Sequence, residues 1–184
     1  MSRPRRAGAP SSVAQRVALL AMMTALAFVL SWIERLFPPI AGAAPGIKLG
    51  LANVVVLIML YYRGFRQAFV VSLVRVLAVG FVFANLSAML YSLAGGLLSL
   101  CVMQLARRLR WFSPVGVSVA GGVAHNVGQI SLAMVILRSA VLVSYLPVLL
   151  VAGAVTGVAT GVVATGVLRY LKALPAPQRE EEAK

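Results

Sequence analysis

The chain of 184 residues is 61% hydrophobic and 11% charged, and its mean hydropathy is +0.95. A soluble domain of this size could not bury so much apolar surface, so the composition predicts an all-α, polytopic membrane protein. The formal net charge of +13 would favour nucleic-acid binding in a soluble protein, but here the basic residues lie in short gaps between apolar runs. This placement is typical of membrane topology signals, and no nucleic-acid partner is expected.

Six apolar segments predict six transmembrane helices in a single domain over residues 13–172. A basic tail (1–12) and a polar tail (173–184) flank this domain and are predicted to be disordered. The prolines and glycines of residues 36–47 exclude a continuous helix there. A Tyr-Leu-Pro sequence at 145–147 predicts an interfacial piece before the last helix. The predicted spans are 13–33, 48–62, 67–84, 89–106, 115–137 and 147–168.

Loop charges predict the orientation of these helices. With the N-terminus inside, most basic residues fall in cytosolic segments, and the outer loops hold only Arg35, Lys48 and Arg138. We therefore expect a multi-pass protein of the cell (inner or plasma) membrane with both termini in the cytosol. The second span is too short to cross the bilayer core of about 30 Å, which favours a place beside a polar cavity.

Several polar residues lie inside or at the outer end of the apolar segments, where unpaired polar groups are costly. In the predicted topology they share the outer half of the membrane, which indicates one outward-facing cavity. The only carboxylate near that side is Glu34, so an anionic solute is the expected partner of Lys48 and Arg75. The loop over 34–47 could act as a lid. The candidate substrate-binding residues are Lys48, Asn53, Arg75, Asn85, Tyr91, His125, Asn126 and Gln129.

Each of these residues also has a structural interpretation. Arg75 could pair with helix carbonyls or a neighbouring carboxylate, and His125 could be a hydrogen-bonded core residue. The amides Asn53, Asn126 and Gln129 could hold helices together. One His, one Cys and no aspartate leave too few ligands for a metal site, and no cofactor is expected.

Small residues recur at helical spacing in two spans. Gly153, Gly157 and Gly161 form a smooth ridge on the last span, and Ala21 and Ala25 have the same spacing on the first. Such ridges let helices approach closely. They are consistent with packing inside the chain or with docking of a partner membrane subunit.

Three motifs carry a resemblance to a known family: PGIKLGLAN (45–53), YSLAGG (91–96) and GGVAHNVGQ (121–129). Together they resemble the Gx transporter proteins, also labelled heptaprenyl diphosphate synthase component I, over roughly residues 13–171. That family is similar to the substrate-binding S components of energy-coupling factor (ECF) transporters. The resemblance implies a six-helix bundle whose first helix docks a transmembrane coupling subunit through small residues, which Ala21 and Ala25 match.

The resemblance implies two functions. The first is a substrate-binding subunit of an uptake transporter, in which separate ATPase subunits hydrolyse ATP because this chain has no phosphate-binding loop motif. The alternative is a non-catalytic membrane component associated with heptaprenyl diphosphate synthase or another membrane complex. A prenyl synthase needs clustered carboxylates to hold magnesium against diphosphate. The chain has no aspartate, so we do not expect it to be an enzyme.

Overall fold

The computed structural model describes residues 13–36, 50–83, 85–109 and 111–173. Residues 1–12 of the predicted N-terminal tail, 174–184 of the predicted C-terminal tail (173–184), 37–47 of the predicted lid (34–47), and Lys48 lie outside these residues. The first three residues of the predicted lid belong to α1, and residue 173 is the last residue of α6. Within the described part the chain is helical, which confirms the predicted all-α class. Its elements are α1 (Val13–Leu36), α2 (Leu51–Tyr62), α3 (Phe65–Phe83), α4 (Leu86–Leu109), α5 (Pro114–Leu137), a 3₁₀ helix (Ala140–Tyr145) and α6 (Leu146–Ala173).

Local sequence explains where the helices begin. Gly50 precedes α2 with φ of 75°, a left-handed conformation that glycine adopts without steric cost. Ser113 caps α5, since its Oγ accepts a hydrogen bond from Gly116 N at 3.2 Å, and Pro114 occupies the first turn. The 3₁₀ helix separates α5 from α6 next to the predicted break at 145–147.

Helix α2 forms the centre of the bundle. It has 12 residues, about 18 Å at 1.5 Å per residue, and its side chains from Val54 to Leu60 are all buried. They pack in one core with residues of every other α-helix, including Ala27, Val71, Leu100, Val117 and Ala164. The other five α-helices are each long and apolar enough to cross a membrane. Helix α2 is apolar as well, but it is buried by its neighbours rather than exposed along its length.

The outer surface of the bundle is apolar. On α6, the side chains of Val151, Val155 and Val162 are 65%, 63% and 58% exposed. Contiguous exposed apolar surface of this kind is unfavourable in water and suits lipid. The described helices therefore belong to a membrane protein.

Helices α4, α5 and α6 pack closely because glycines lie at their contacts. A Cβ added to Gly122 of α5 would lie 2.3 Å from the Gly153 carbonyl oxygen of α6. Gly157 and Gly161 similarly lie against the backbone of Val119 and Val115 of α5. The glycine ridge on the last span therefore packs inside the chain, which was one of its two expected roles.

The two ends of the bundle differ in charge. At the end where α2 and α4 finish, the Arg107 guanidinium donates hydrogen bonds to the carbonyls of Leu60 and Tyr61 and lies over the Tyr61 ring. At the opposite end, Arg35 of α1 donates to the Phe83 carbonyl at the end of α3. We call the first end the basic end, and its described arginines are Arg16, Arg63, Arg66, Arg107, Arg108 and Arg169.

Candidate functional site

A carboxylate and the start of α2 meet near the end of α1. The Gly50 N–H donates a hydrogen bond of 2.5 Å to Glu34 Oε1. A helix N-terminus carries partial positive charge, so the carboxylate is well placed there. Asn53 lies in the first turn of α2, and a Cβ added to Gly50 would be 3.7 Å from its Nδ2 and 3.4 Å from Thr160 Cγ2 of α6. The start of α2 is thus held between α1 and α6.

Arg75 of α3 faces α1. Its Nη1 donates to Ser31 Oγ at 3.3 Å, and Ser31 Oγ in turn donates to the Ala27 carbonyl at 2.8 Å. The Glu34 carboxylate lies close enough to act electrostatically on this guanidinium. Among the residues that the structure describes, the buried Nε of Arg75 has no hydrogen-bond partner. Arg75 thus bonds to the Ser31 hydroxyl rather than to a helix carbonyl, with the Glu34 carboxylate nearby, and its buried Nε is left without a partner in the described part.

His125 and Gln129 of α5 face α4. A Cβ added to Gly95 of α4 would lie 2.7 Å from Gln129 Cγ and 3.2 Å from His125 Cε1. It would also lie 2.6 Å from the His125 carbonyl oxygen. Only glycine at position 95 leaves room for both side chains at this contact. The two residues share one face, as their spacing of four predicts.

Asn126, the neighbour of His125, points the other way, toward α6. Its Nδ2 donates a buried hydrogen bond of 2.6 Å to the Leu149 carbonyl. A Cβ added to Gly153 would be 2.8 Å from this nitrogen, so the glycine leaves space for the amide. Asn126 thus makes the interhelical contact that was its structural interpretation.

A second buried polar contact joins α5 to α6. Ser118 Oγ and Thr160 Oγ1 are 2.8 Å apart. The Thr160 hydroxyl donates its only proton to the Thr156 carbonyl, at 2.9 Å. The Ser118 hydroxyl is therefore the donor in its contact with Thr160. Both hydroxyls are buried, and the pair supplies a partner for each.

The remaining candidates lie on or before α4. Asn85 is exposed, and its Oδ1 accepts from the Ala88 N–H at 2.8 Å, as an N-terminal cap does. Tyr91 is half-buried on α4. Lys48 lies outside the described residues.

The described contacts of the predicted site residues thus lead to three neighbours: Arg75 to α1, His125 and Gln129 to α4, and Asn126 to α6. An outward cavity that joins them stays a prediction. A shallow crevice lies elsewhere, between α3 and α4, and none of the predicted site residues lines it. Its lining residues are Phe69, Ser72, Leu73, Val76, Leu93, Gly96, Leu97 and Leu100.

Sequence reasoning did not single out Ser31, Ser118 or Thr160. Hydroxyl residues in apolar helices often bond to their own helix, so their presence alone predicts no interhelical contact. Thr160 does lie between Gly157 and Gly161 of the small-residue ridge, which was the available signal. Arg107 is one of the basic residues that fall in the predicted cytosolic segments, and nothing in its sequence context indicates that it bonds to the end of α2.

Two exposed surfaces remain. Ala21 and Ala25 of α1 are exposed, so their small-residue face is not covered by the described helices. At the basic end, Arg66, Arg108 and Arg169 are exposed. No group of three or more potential metal ligands occurs within residues 13–36, 50–83, 85–109 and 111–173.

Comparison with known proteins identifies a family. No curated protein and no solved structure matches the chain. The family model described as heptaprenyl diphosphate synthase component I matches residues 23–167, which extend from α1 into α6 and include most of the chain. The chain therefore belongs to the heptaprenyl diphosphate synthase component I family.

Proposed function

We propose that this protein is a non-catalytic membrane subunit that holds a soluble polyprenyl diphosphate synthase at the cytosolic face of the membrane. The family match carries this proposal. The chain itself has no aspartate with which to build a magnesium–diphosphate site, so catalysis belongs to the partner. In this account both termini and the basic end lie in the cytosol.

The polar contacts inside the bundle support a structural rather than a solute-binding role for several residues. Asn126 is bonded to the Leu149 carbonyl, Arg75 to Ser31, and Ser118 to Thr160. Each contact joins two different helices. Groups that bond to one another in this way fix the bundle and are less available to a solute.

The basic end supplies the docking surface in this proposal. Arg108 and Arg169 are exposed, and Tyr170 is 67% exposed beside them in sequence. Exposed arginine and aromatic side chains are common at protein interfaces, and complementary charge speeds association with an acidic partner surface. Arg107 differs, because its guanidinium is bonded to the end of α2.

Liposome flotation tests this proposal. Proteoliposomes that contain the protein are mixed with the soluble polyprenyl diphosphate synthase of the same cell and floated on a gradient. We expect the synthase to float with the wild type and to be lost with Arg108→Glu/Arg169→Glu. Arg138→Glu, a charge reversal at the opposite end, is the control and should retain it. Equal flotation with empty liposomes would refute the proposal.

A second candidate is a solute-capture subunit of an uptake transporter. The observation in its favour is the buried Nε of Arg75, which has no hydrogen-bond partner in the described part. A bound anion could accept from that donor, and Lys48, Asn53, Asn85, Tyr91, His125, Asn126 and Gln129 would complete the site. The exposed Ala21 and Ala25 would dock a transmembrane coupling subunit, which in turn binds ATPase subunits.

Mass spectrometry of small molecules that co-purify with the protein tests this second candidate. A co-purifying anionic solute would favour it, and its affinity should fall in Lys48→Ala and in Arg75→Ala. Full affinity in both variants would exclude the assigned site.

A further inference from the structure

We infer that the turn between α2 and α3 binds the phosphate of an anionic membrane phospholipid, and that an acyl chain of this lipid lies along the exposed face of α3. The inference goes beyond the proposed function, because it assigns a lipid to a surface that does not include the synthase-docking arginines Arg108 and Arg169. It does not require that a synthase is recruited.

Two arginines of this turn carry charge that the described protein groups do not neutralise. Arg63 lies at the end of α2 with its guanidinium carbon 4.7 Å from the centre of the Tyr62 ring, and its buried Nε has no hydrogen-bond partner among the described residues. Arg66 is exposed in the first turn of α3. The one carboxylate in the described part is Glu34, which lies at the opposite end of the bundle. An anion from outside the chain is therefore the expected partner of these arginines.

The start of α3 adds to this positive charge. The first N–H groups of a helix have no partner within it, and they carry the positive end of the helix dipole. Gly64, which precedes α3 with φ of 101°, has no side chain to accept from them, and no acidic residue lies in the first turn. Arginines are unfavourable at such a position. A phosphate removes this conflict, since helix N-termini and arginines both donate hydrogen bonds to phosphate oxygens.

Two other arginines of the basic end lie where the protein itself supplies negative charge. Arg107 donates to the carbonyls of Leu60 and Tyr61, so it already neutralises the negative end of α2 and leaves Arg63 without that role. Arg108 lies in the last turn of α4, where the helix carbonyls favour a cation. The arginines on either side of Gly64 therefore differ from their neighbours in their need for an external anion.

An apolar stripe on α3 indicates that the phosphate belongs to a lipid. Arg66, Val70 and Val74 recur at a spacing of four and so share one helix face. Val70 and Val74 are 42% and 45% exposed, and they continue from the cation toward the middle of the bilayer, as an acyl chain does below its headgroup. The turn offers no carboxylate to the ammonium group of phosphatidylethanolamine. It should therefore prefer a lipid with net negative charge, such as phosphatidylglycerol.

Native mass spectrometry of the full-length protein, titrated with phosphatidylglycerol or phosphatidylethanolamine, measures the affinity for each lipid. We expect one phosphatidylglycerol to bind in preference, and Arg63→Gln/Arg66→Gln to lower its affinity about tenfold. Arg108→Gln/Arg169→Gln removes the same charge from the same end and should change the affinity little. Gln67→Glu places a carboxylate in the first turn of α3, so it should also weaken binding while it stabilises the helix. Millimolar inorganic phosphate should not displace the lipid.

Hydrogen exchange in nanodiscs locates the site. Amides 65–67 should exchange more slowly with phosphatidylglycerol than with phosphatidylethanolamine, and this difference should vanish in Arg63→Gln/Arg66→Gln.

Four results would overturn the inference: equal affinity for the two lipids, equal losses in the two double variants, wild-type affinity in Gln67→Glu, or displacement by inorganic phosphate, which would indicate a free anion. Thermal unfolding of each variant checks that weaker binding does not reflect lost structure, and Gln67→Glu still tests the site if the arginine variant does not fold. Synthase flotation keeps the two proposals separate, since Arg63→Gln/Arg66→Gln should still recruit the synthase.

Discussion

Gly153→Ala should destabilise the bundle through a contact that can be specified atom by atom. The added Cβ would lie 2.7 Å from the Gly122 carbonyl oxygen and 2.8 Å from Asn126 Nδ2. Real Cβ atoms essentially never come within 3.0 Å of such atoms, so α5 and α6 must separate or the amide must move. Either shift lengthens the 2.6 Å hydrogen bond from Asn126 to the Leu149 carbonyl.

The expected magnitude follows from three contributions. Overpacking a close contact costs about 1–3 kcal/mol. Weakening an interhelical hydrogen bond in a membrane costs about 0.6 kcal/mol. Replacing glycine by alanine inside a helix returns about 0.5–1 kcal/mol. The net loss is therefore about 1–3 kcal/mol, whereas Gly166→Ala, which meets no neighbour, should be neutral or slightly stabilising.

Thermal unfolding in one detergent, compared among the wild type, Gly153→Ala and Gly166→Ala, measures this difference. A double-mutant cycle with Asn126→Ala adds a second readout. Because part of the Gly153→Ala cost passes through the Asn126 amide, that cost should be smaller when the amide is already absent. Equal stability of Gly153→Ala and Gly166→Ala would refute the close α5–α6 contact. Strict additivity in the cycle would refute the shared role of Asn126.

Two other predictions concern the ends of α2. Arg107→Ala removes charged hydrogen bonds to the Leu60 and Tyr61 carbonyls. It should lower the free energy of unfolding, measured thermally or with denaturant, by about 1.5–3 kcal/mol. Arg108 is exposed beside it, so Arg108→Ala should change this free energy little. An equal loss of unfolding free energy in both variants would contradict the bonding of Arg107 to the end of α2. Glu34→Ala removes the acceptor of the Gly50 N–H, so hydrogen exchange should accelerate at the first turn of α2, while Glu34→Gln, which keeps an acceptor oxygen, should change it less. Unchanged exchange in Glu34→Ala would contradict this contact.

The helical fold was largely predictable from the sequence, because hydropathy and proline positions act locally. The segment predicted over 89–106 is the centre of α4, Leu86–Leu109, and the piece predicted before the last helix is the 3₁₀ helix Ala140–Tyr145. The ends of α1, α4 and α6 extend beyond the apolar runs, because polar and basic residues at an interface can continue a helix, whereas α2 begins at Leu51, inside its predicted span of 48–62.

The partners of the polar side chains were much less predictable. Asn126 and His125 are adjacent in sequence, yet one lies against α6 and the other against α4, because consecutive helical residues point about 100° apart. The partner of Asn126 is a backbone carbonyl, which every residue possesses and no side-chain pattern identifies. Depth in the membrane was therefore a weaker guide to shared surroundings than helix face. The glycine ridge was more informative, since its spacing required a closely packed neighbour.

The most direct measurement of the central claim is purification of the tagged protein from its native membranes in a mild detergent, followed by quantitative mass spectrometry of proteins and small molecules. If the protein recruits a synthase, a soluble polyprenyl diphosphate synthase should co-purify with the wild type, and in about equal amount with Arg138→Glu. It should be lost with Arg108→Glu/Arg169→Glu. Recovery of ATPase and coupling subunits with a bound anionic solute, and without a synthase, would contradict this claim and favour solute capture.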